Sequence, residues 1–245
     1  FSSDHGVNIQ PTYDEYERAT IGPYLTWNYK KYKKIISYNR ETYFVRHPWI
    51  NYKKKNNFKL SNKRQGTIVF FPKSIESLSI NKDFIDGYMN DLKKLPNKCK
   101  PISICLFYND INNGLHKVLR KYNFGLVTAG NTSSIYFVDR FYKLIRNYNY
   151  ATSPFDGRPG SFFYFCVDFS LPFFFYGKSP IYTSKGSVSY KPGVIKPYQR
   201  ISCKYASKKE YLYMLNKIKY FFKIRDFISE RQQNIIRTYL GYDAR

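Results

Sequence analysis

The chain predicts an α/β fold built on a mainly parallel sheet, and three observations carry that expectation. Residues 66–177 alternate short apolar runs with stretches of helical spacing, the order of βαβ units. The run 102–107 is apolar but for Ser103, as a strand buried on both faces of a parallel sheet is. Nowhere do short strands follow one another at the regular spacing of an all-β fold.

Gly66-Thr-Ile-Val-Phe-Phe71 reads as a strand stopped by Pro72, whose missing N–H cannot continue a ladder. Residues 83–95 place Phe84, Ile85, Tyr88, Met89 and Leu92 at helical spacing. After the strand at 102–107, residues 112–122 predict a helix with Leu115, Val118 and Leu119 on one face. Gly125-Leu-Val-Thr-Ala-Gly130 is a short strand ending in small residues, 133–148 a helix, and Tyr150-Ala-Thr-Ser153 a strand. A Gly/Pro loop (154–160), a helix from Ser161 and a strand (Pro172-Phe-Phe-Phe-Tyr-Gly177) complete the unit. The expected parallel sheet thus contains 67–71, 102–107, 125–128, 150–152 and 172–176, with helices on both faces. Ser153, Gly160 and Ser161 fall where a strand hands over to a helix N-terminus, whose free N–H groups and positive dipole end suit a diphosphate.

Three zones are expected: 1–65, 66–206 and 207–245. The first holds Asp4-His5-Gly6, an acidic-aromatic segment at 13–18, strand candidates at 34–37 and 42–45, His47-Pro-Trp-Ile50, and a basic linker at 51–64. A Ser/Gly/Pro-rich loop follows Lys178, then helical patterns at 207–224 and 226–240 that can pack back over the sheet. The chain opens at Phe1 without Met and reads as a fragment or as a protein lacking its beginning.

With 245 residues, 43% hydrophobic and 20% aromatic, the chain can bury a core and is not disordered. Its formal charge of +24 is concentrated in 30–64, with twelve Lys/Arg against Glu41, and in 178–225, with twelve against Glu210. Such a field attracts polyanions: nucleic acid, an acidic leaflet or phosphorylated substrates. Cys99, Cys105, Cys166 and Cys203 show neither zinc spacing nor the density of a disulfide scaffold, and Cys105 and Cys166 sit in apolar runs as buried thiols. No apolar run reaches the ~18 residues of a membrane span. P-loop, G-x-G-x-x-G, G-x-S-x-G and Asp-x-Asp patterns are absent, and the three histidines are scattered. With the Asp-x-Asp metal signature missing, the charge of a phosphorylated ligand would be met by Lys, Arg and helix dipoles, with no required metal or cofactor.

The Gly-Thr-Ile-Val-Phe-Phe-Pro strand, the Leu95-Pro96 pair, Pro101-Ile-Ser-Ile-Cys-Leu-Phe-Tyr-Asn-Asp-Ile111, Val127-Thr-Ala-Gly130 and the Gly160-Ser161 to Pro172-Phe-Phe-Phe-Tyr-Gly177 ending together resemble bacterial GT-B glycosyltransferases of capsule and lipopolysaccharide synthesis. The wider group includes teichoic-acid polymerases, which share a His-Gly motif at the end of their first domain. The resemblance covers 66–177 well and 1–50 loosely. It implies a Rossmann-type donor domain (66–206) preceded by the end of an α/β acceptor domain (1–65) and followed by C-terminal helices (207–245). It also implies that His5, in Asp4-His5-Gly6, faces the cleft as general base, and that Ser153, Gly160 and Ser161 hold the donor phosphates. Lys73-Ser74 stands where the family carries His-Ser, and Asn131, after Gly130, where it carries histidine; both pairs fall on the donor side. His47 and Trp49 suit the acceptor side of the cleft, or core packing. The implied partners are a nucleotide-sugar donor and a glycan or lipid-linked acceptor, in the cytoplasm at the inner face of an anionic membrane, with no nucleic acid. The alternatives are a basic nucleic-acid-binding module, or a non-catalytic relative serving as partner subunit.

Overall fold

A computed structural model describes residues 2–3, 22–74, 78–184, 186, 191–195 and 208–244. In chain order these form strands β1 (Ser2–Ser3) and β2 (Tyr24–Thr26), helix α1 (Tyr29–Ile36), β3 (Thr42–Phe44), α2 (Pro48–Lys55), β4 (Thr67–Phe70), β5 (Leu78–Ile80) and α3 (Lys82–Lys93). There follow β6 (Ile102–Cys105), α4 (Tyr108–Asn112), α5 (Leu115–Leu119), β7 (Gly125–Val127), α6 (Phe137–Ile145), β8 (Tyr150–Ser153), α7 (Ser161–Asp168) and β9 (Phe173–Phe175). Strands β10 (Tyr182–Ser184) and β11 (Gly193–Ile195) and helices α8 (Lys208–Ile218) and α9 (Glu230–Tyr239) close the series.

The central sheet has five parallel strands in the order β7-β6-β4-β8-β9, so the chain starts in the middle, winds out to one edge, returns and winds out to the other. All five segments expected in a parallel sheet are in it. Side-chain alternation sends Ile68 and Phe70 to one face and Val69 and Phe71 to the other. The first face packs on Phe141, Ile145, Phe163 and Phe165 of α6 and α7; the second packs on Phe84, Ile85, Tyr88 and Leu92 of α3. Both faces are covered, which is why the strands read as apolar throughout. Gly66 allows β4 to start between its neighbours: its φ is +61°, and a Cβ there would lie 1.9 Å from the Pro101 carbonyl oxygen.

A smaller parallel sheet, β1-β2-β3, and an antiparallel one, β11-β10-β5, flank the centre. Met214, Ile218 and Phe221 after and within α8, and Ile236, Tyr239 and Leu240 of the last turns, join the core on the α6/α7 face. Lys53 of α2 is paired with the buried carboxylate of Asp168, and Tyr242 donates to the same carboxylate at 2.5 Å, tying three parts of the chain together.

Several expectations are corrected. The segment 34–37, expected as a strand, is the last turn of α1 with Ser37 as its C-cap, because Asn28 caps the helix by accepting from the N–H groups of Lys30 and Lys31, and Lys31 and Ile35, four apart, face inward. The basic linker at 51–64 begins with α2, started by His47 at the N-cap and Pro48 in the first turn; Lys53, Lys54 and Lys55 favour its C-terminal end. The single helix at 112–122 is broken at Gly114, where φ is +81°, and Val118 is exposed. Helix α6 starts later than Ser133 because Asn131 Oδ1 accepts the Ser133 N–H and turns the chain first. The loop after Lys178 supplies β10 and β11. The C-terminal helices are shorter than their patterns, since Lys219–Phe222 tightens into a 3-10 turn and α9 waits for the Ser229 capping box.

Candidate functional site

A parallel strand ends by releasing its loop at one edge of the sheet, so all the loops that follow parallel strands gather on one side. In the central sheet that edge has a division between β4 and β8, where the winding direction reverses. A cavity of about 700 Å³ opens at this point. Phe71, Pro72 and Lys73 enter it from the end of β4, Phe107 from beyond β6, and Ser153 to Ser161 from the end of β8. Its opposite wall comes from the smaller parallel sheet: Trp27 directly follows β2, and Val45 and His47 follow β3. The C-terminal ends of two parallel sheets therefore face one space.

One side of the cavity is polar. Lys73 is exposed, with Nζ 5.5 Å from the Phe107 ring centroid. Arg158 and Asp156 come from the β8–α7 loop, and the Asp156 carboxylate accepts from the buried Tyr182 hydroxyl at 2.8 Å, which fixes that loop against β10. Helix α7 has Gly160 at its N-cap with no side-chain cap, and Gly160 and Ser161 line the cavity, so the N-terminal end of this helix borders it. Behind Lys73, the Ser74 N–H donates to Asp110 Oδ1 at 3.3 Å. Asp110 is only 2% exposed, and burial raises its pKa, with the Ser74 hydrogen bonds and the Lys73 charge pulling the other way.

The other side is aromatic. Trp49 stacks on Phe165 at 4.1 Å and 21°, and His47 packs against Trp27 at 4.4 Å and Phe165 at 4.9 Å. His47 Nδ1 accepts the Trp49 N–H at 3.1 Å, and burial lowers the pKa of the ring to about 3. The imidazole is neutral at pH 7 with its proton on Nε2, so it serves as wall and hydrogen-bond donor rather than as a base.

Set against known proteins, the chain matches no family model, no curated protein and no solved structure.

Of the residues singled out in the sequence, Lys73, Ser153, Gly160 and Ser161 meet in the cavity with His47 and Trp49. Ser74 stands one step behind it, bonded to Asp110. Gly130 and Asn131 do not line it: Gly130 lies against the Arg140 guanidinium, Asn131 is spent on the turn before α6, and Thr132 is the residue of that loop that reaches the space. Asp4 and His5 lie outside the described residues. Sequence reading passed over Trp27, Asp110, Asp156 and Arg158 as site residues. The last three were findable, because each follows a strand of the parallel sheet at its C-terminal edge; Trp27 follows a three-residue strand too short to register. Among the described residues no His/Cys/Asp/Glu group could hold a metal ion, and no helix is long and apolar enough to cross a membrane. Cys99, Cys105 and Cys166 are free and buried, and desolvation raises the Cys105 thiol to about 12, so it is no nucleophile at neutral pH.

Proposed function

We propose that the protein is a GT-B-type glycosyltransferase that moves a sugar from a nucleotide-activated donor onto a growing bacterial surface glycan. The observation that carries this reading is the cavity at the β4/β8 reversal point, into which two parallel sheets send the loops from their C-terminal ends. Such a crevice is where open α/β sheets hold nucleotides. Its contents divide as a sugar nucleotide does: Lys73, Arg158, Ser161 and the N-terminus of α7 for phosphate, and Trp27 and Trp49 for the faces of rings.

In the proposed reaction the acceptor hydroxyl forms a bond to the anomeric carbon while the bond from that carbon to the donor phosphate oxygen breaks. The nucleotide leaves as an anion whose charge is met by Lys73, Arg158 and the helix terminus, with no metal required. The hydroxyl proton passes to His5, with Asp4 beside it; the low pKa of His47, about 3, removes that histidine from the role.

A thermal-shift panel of UDP-, GDP-, CMP- and CDP-linked sugars tests the reading, since a ligand that binds only the folded state raises its melting temperature. The reading expects one nucleotide class to do so at ionic strengths that suppress oligonucleotide binding. A protein that ignores all four and responds to single-stranded RNA in a salt-dependent way is instead a nucleic-acid binder.

A further inference from the structure

Helix α1 carries its charge in a pattern that the core does not explain. At a turn every 3.6 residues, Tyr29, Lys33 and Ile36 fall along one line with Lys30 and Lys34 beside it, while Lys31 and Ile35 face the interior. All five outward residues are exposed, Tyr29 by 46% and Ile36 by 41%, and the helix contains no carboxylate. The surface continues onto α8. Lys30 Nζ stands 5.2 Å from the ring centroid of Tyr213, which is 47% exposed, and Lys217 Nζ stands 5.3 Å from the same ring. Lys33 Nζ is 5.0 Å from the Tyr29 ring, so ammonium groups and tyrosine rings alternate across the patch.

We infer that this face of α1, extended by Tyr213 and Lys217, is the surface by which the protein docks on an anionic lipid bilayer. Lysines meet headgroup phosphates, tyrosine rings sit at the depth where a polar tip and an apolar body are both satisfied, and Ile36 reaches the acyl boundary. A phosphate backbone engages the lysines alone, whereas a bilayer surface also accommodates the exposed aliphatic Ile36 on the same line as Tyr29 and Lys33. The placement has a consequence. Trp27, a wall of the cavity, is separated from Tyr29 only by the capping residue Asn28. Docking through α1 therefore holds the smaller-sheet side of the cavity near the membrane, where a lipid-linked molecule is anchored. This inference goes beyond the transferase reading and is tested without any donor.

The test is co-sedimentation of the full chain with phosphatidylcholine vesicles, with and without phosphatidylglycerol. Wild type is expected to bind only the anionic vesicles, and Lys30→Glu/Lys33→Glu/Lys34→Glu to weaken that binding by more than about tenfold. The same change of charge at the exposed Lys63, Lys100 and Lys117, which fall before β4, before β6 and on α5 rather than on α1 or α8, is expected to weaken it by less than about threefold. Tyr29→Ser/Ile36→Ser should bind at low salt and lose the fraction that survives high salt. Melting curves establish that each variant is folded, and a Lys→Gln triple at positions 30, 33 and 34 repeats the test with a milder change. Equal losses in the two charge-reversal triples, binding indifferent to anionic lipid, or a triple on α1 that loses polyuridine binding while keeping vesicle binding would each overturn the inference.

Discussion

The Nδ1 atom of His47 accepts the backbone N–H of Trp49 at 3.1 Å, a single hydrogen bond that starts helix α2 and keeps the imidazole proton on Nε2. Burial disfavours the charged ring, so its pKa is about 3 in the fold against about 6.5 in the unfolded chain. The unfolded state then binds the proton more tightly, and stability is full above about pH 6.5 and lost as pH falls toward 3. Between pH 7 and pH 5 this group alone should cost about 2 kcal/mol. His47→Asn retains a capping side chain without the titration, and urea melts should show it losing correspondingly less over that interval. Equal pH dependence in the two proteins would contradict the neutral histidine.

Asp110 holds the loop after β4 through Ser74, at the cost of a buried carboxylate. Asp110→Ala should lose about 1–2 kcal/mol, because the Ser74 N–H is left unpaired, and should weaken donor binding by moving Lys73. Asp110→Asn keeps an acceptor and removes the charge. The folded pKa of Asp110 is raised, so its charged form is disfavoured in the fold; that penalty is absent below the unfolded pKa and grows as pH rises through the folded one. The asparagine variant should therefore melt at or above the wild-type temperature at pH 7 and lose any advantage in acid.

The Lys53–Asp168 pair, with Tyr242 donating to the same carboxylate, fastens α2 and the C-terminal segment to α7. Removing the carboxylate leaves the Lys53 ammonium, of low exposure, with only the Asp168 carbonyl oxygen at 3.1 Å, and takes the acceptor from the Tyr242 hydroxyl. Asp168→Ala is expected to cost about 3–5 kcal/mol in denaturant melts, far more than removal of the half-exposed Asp139–Lys143 pair on α6, which should cost under about 1 kcal/mol.

The central sheet was legible because its strands are buried on both faces: Ile68 to Phe71 and Phe173 to Phe175 leave no polar alternation that could suggest another partner. The donor-side loops followed from that sheet by geometry, since parallel strands release them on one side. What was not legible depends on contacts distant in sequence. Helix α1 reads as a strand until Asn28 is seen capping it, and α2 reads as a linker until Ile50 is seen buried under α6. Gly130 and Asn131 lie on the correct edge of the sheet, yet local turn bonds and Arg140 turn them away from the cavity. Arg158 needed only the position of its loop, between a strand end and an uncapped helix start.

The most direct measurement is calorimetric titration of the wild type and of Lys73→Ala, Arg158→Ala and the double variant with whichever of the UDP-, GDP-, CMP- or CDP-linked sugars stabilises the protein. Each loss of a phosphate contact should weaken binding by about tenfold, and the double variant by about a hundredfold, with the melting temperature of Lys73→Ala little changed because Lys73 is exposed. Nucleotide-sugar binding that is undiminished in the double variant would place the donor elsewhere and contradict the assignment of this cavity.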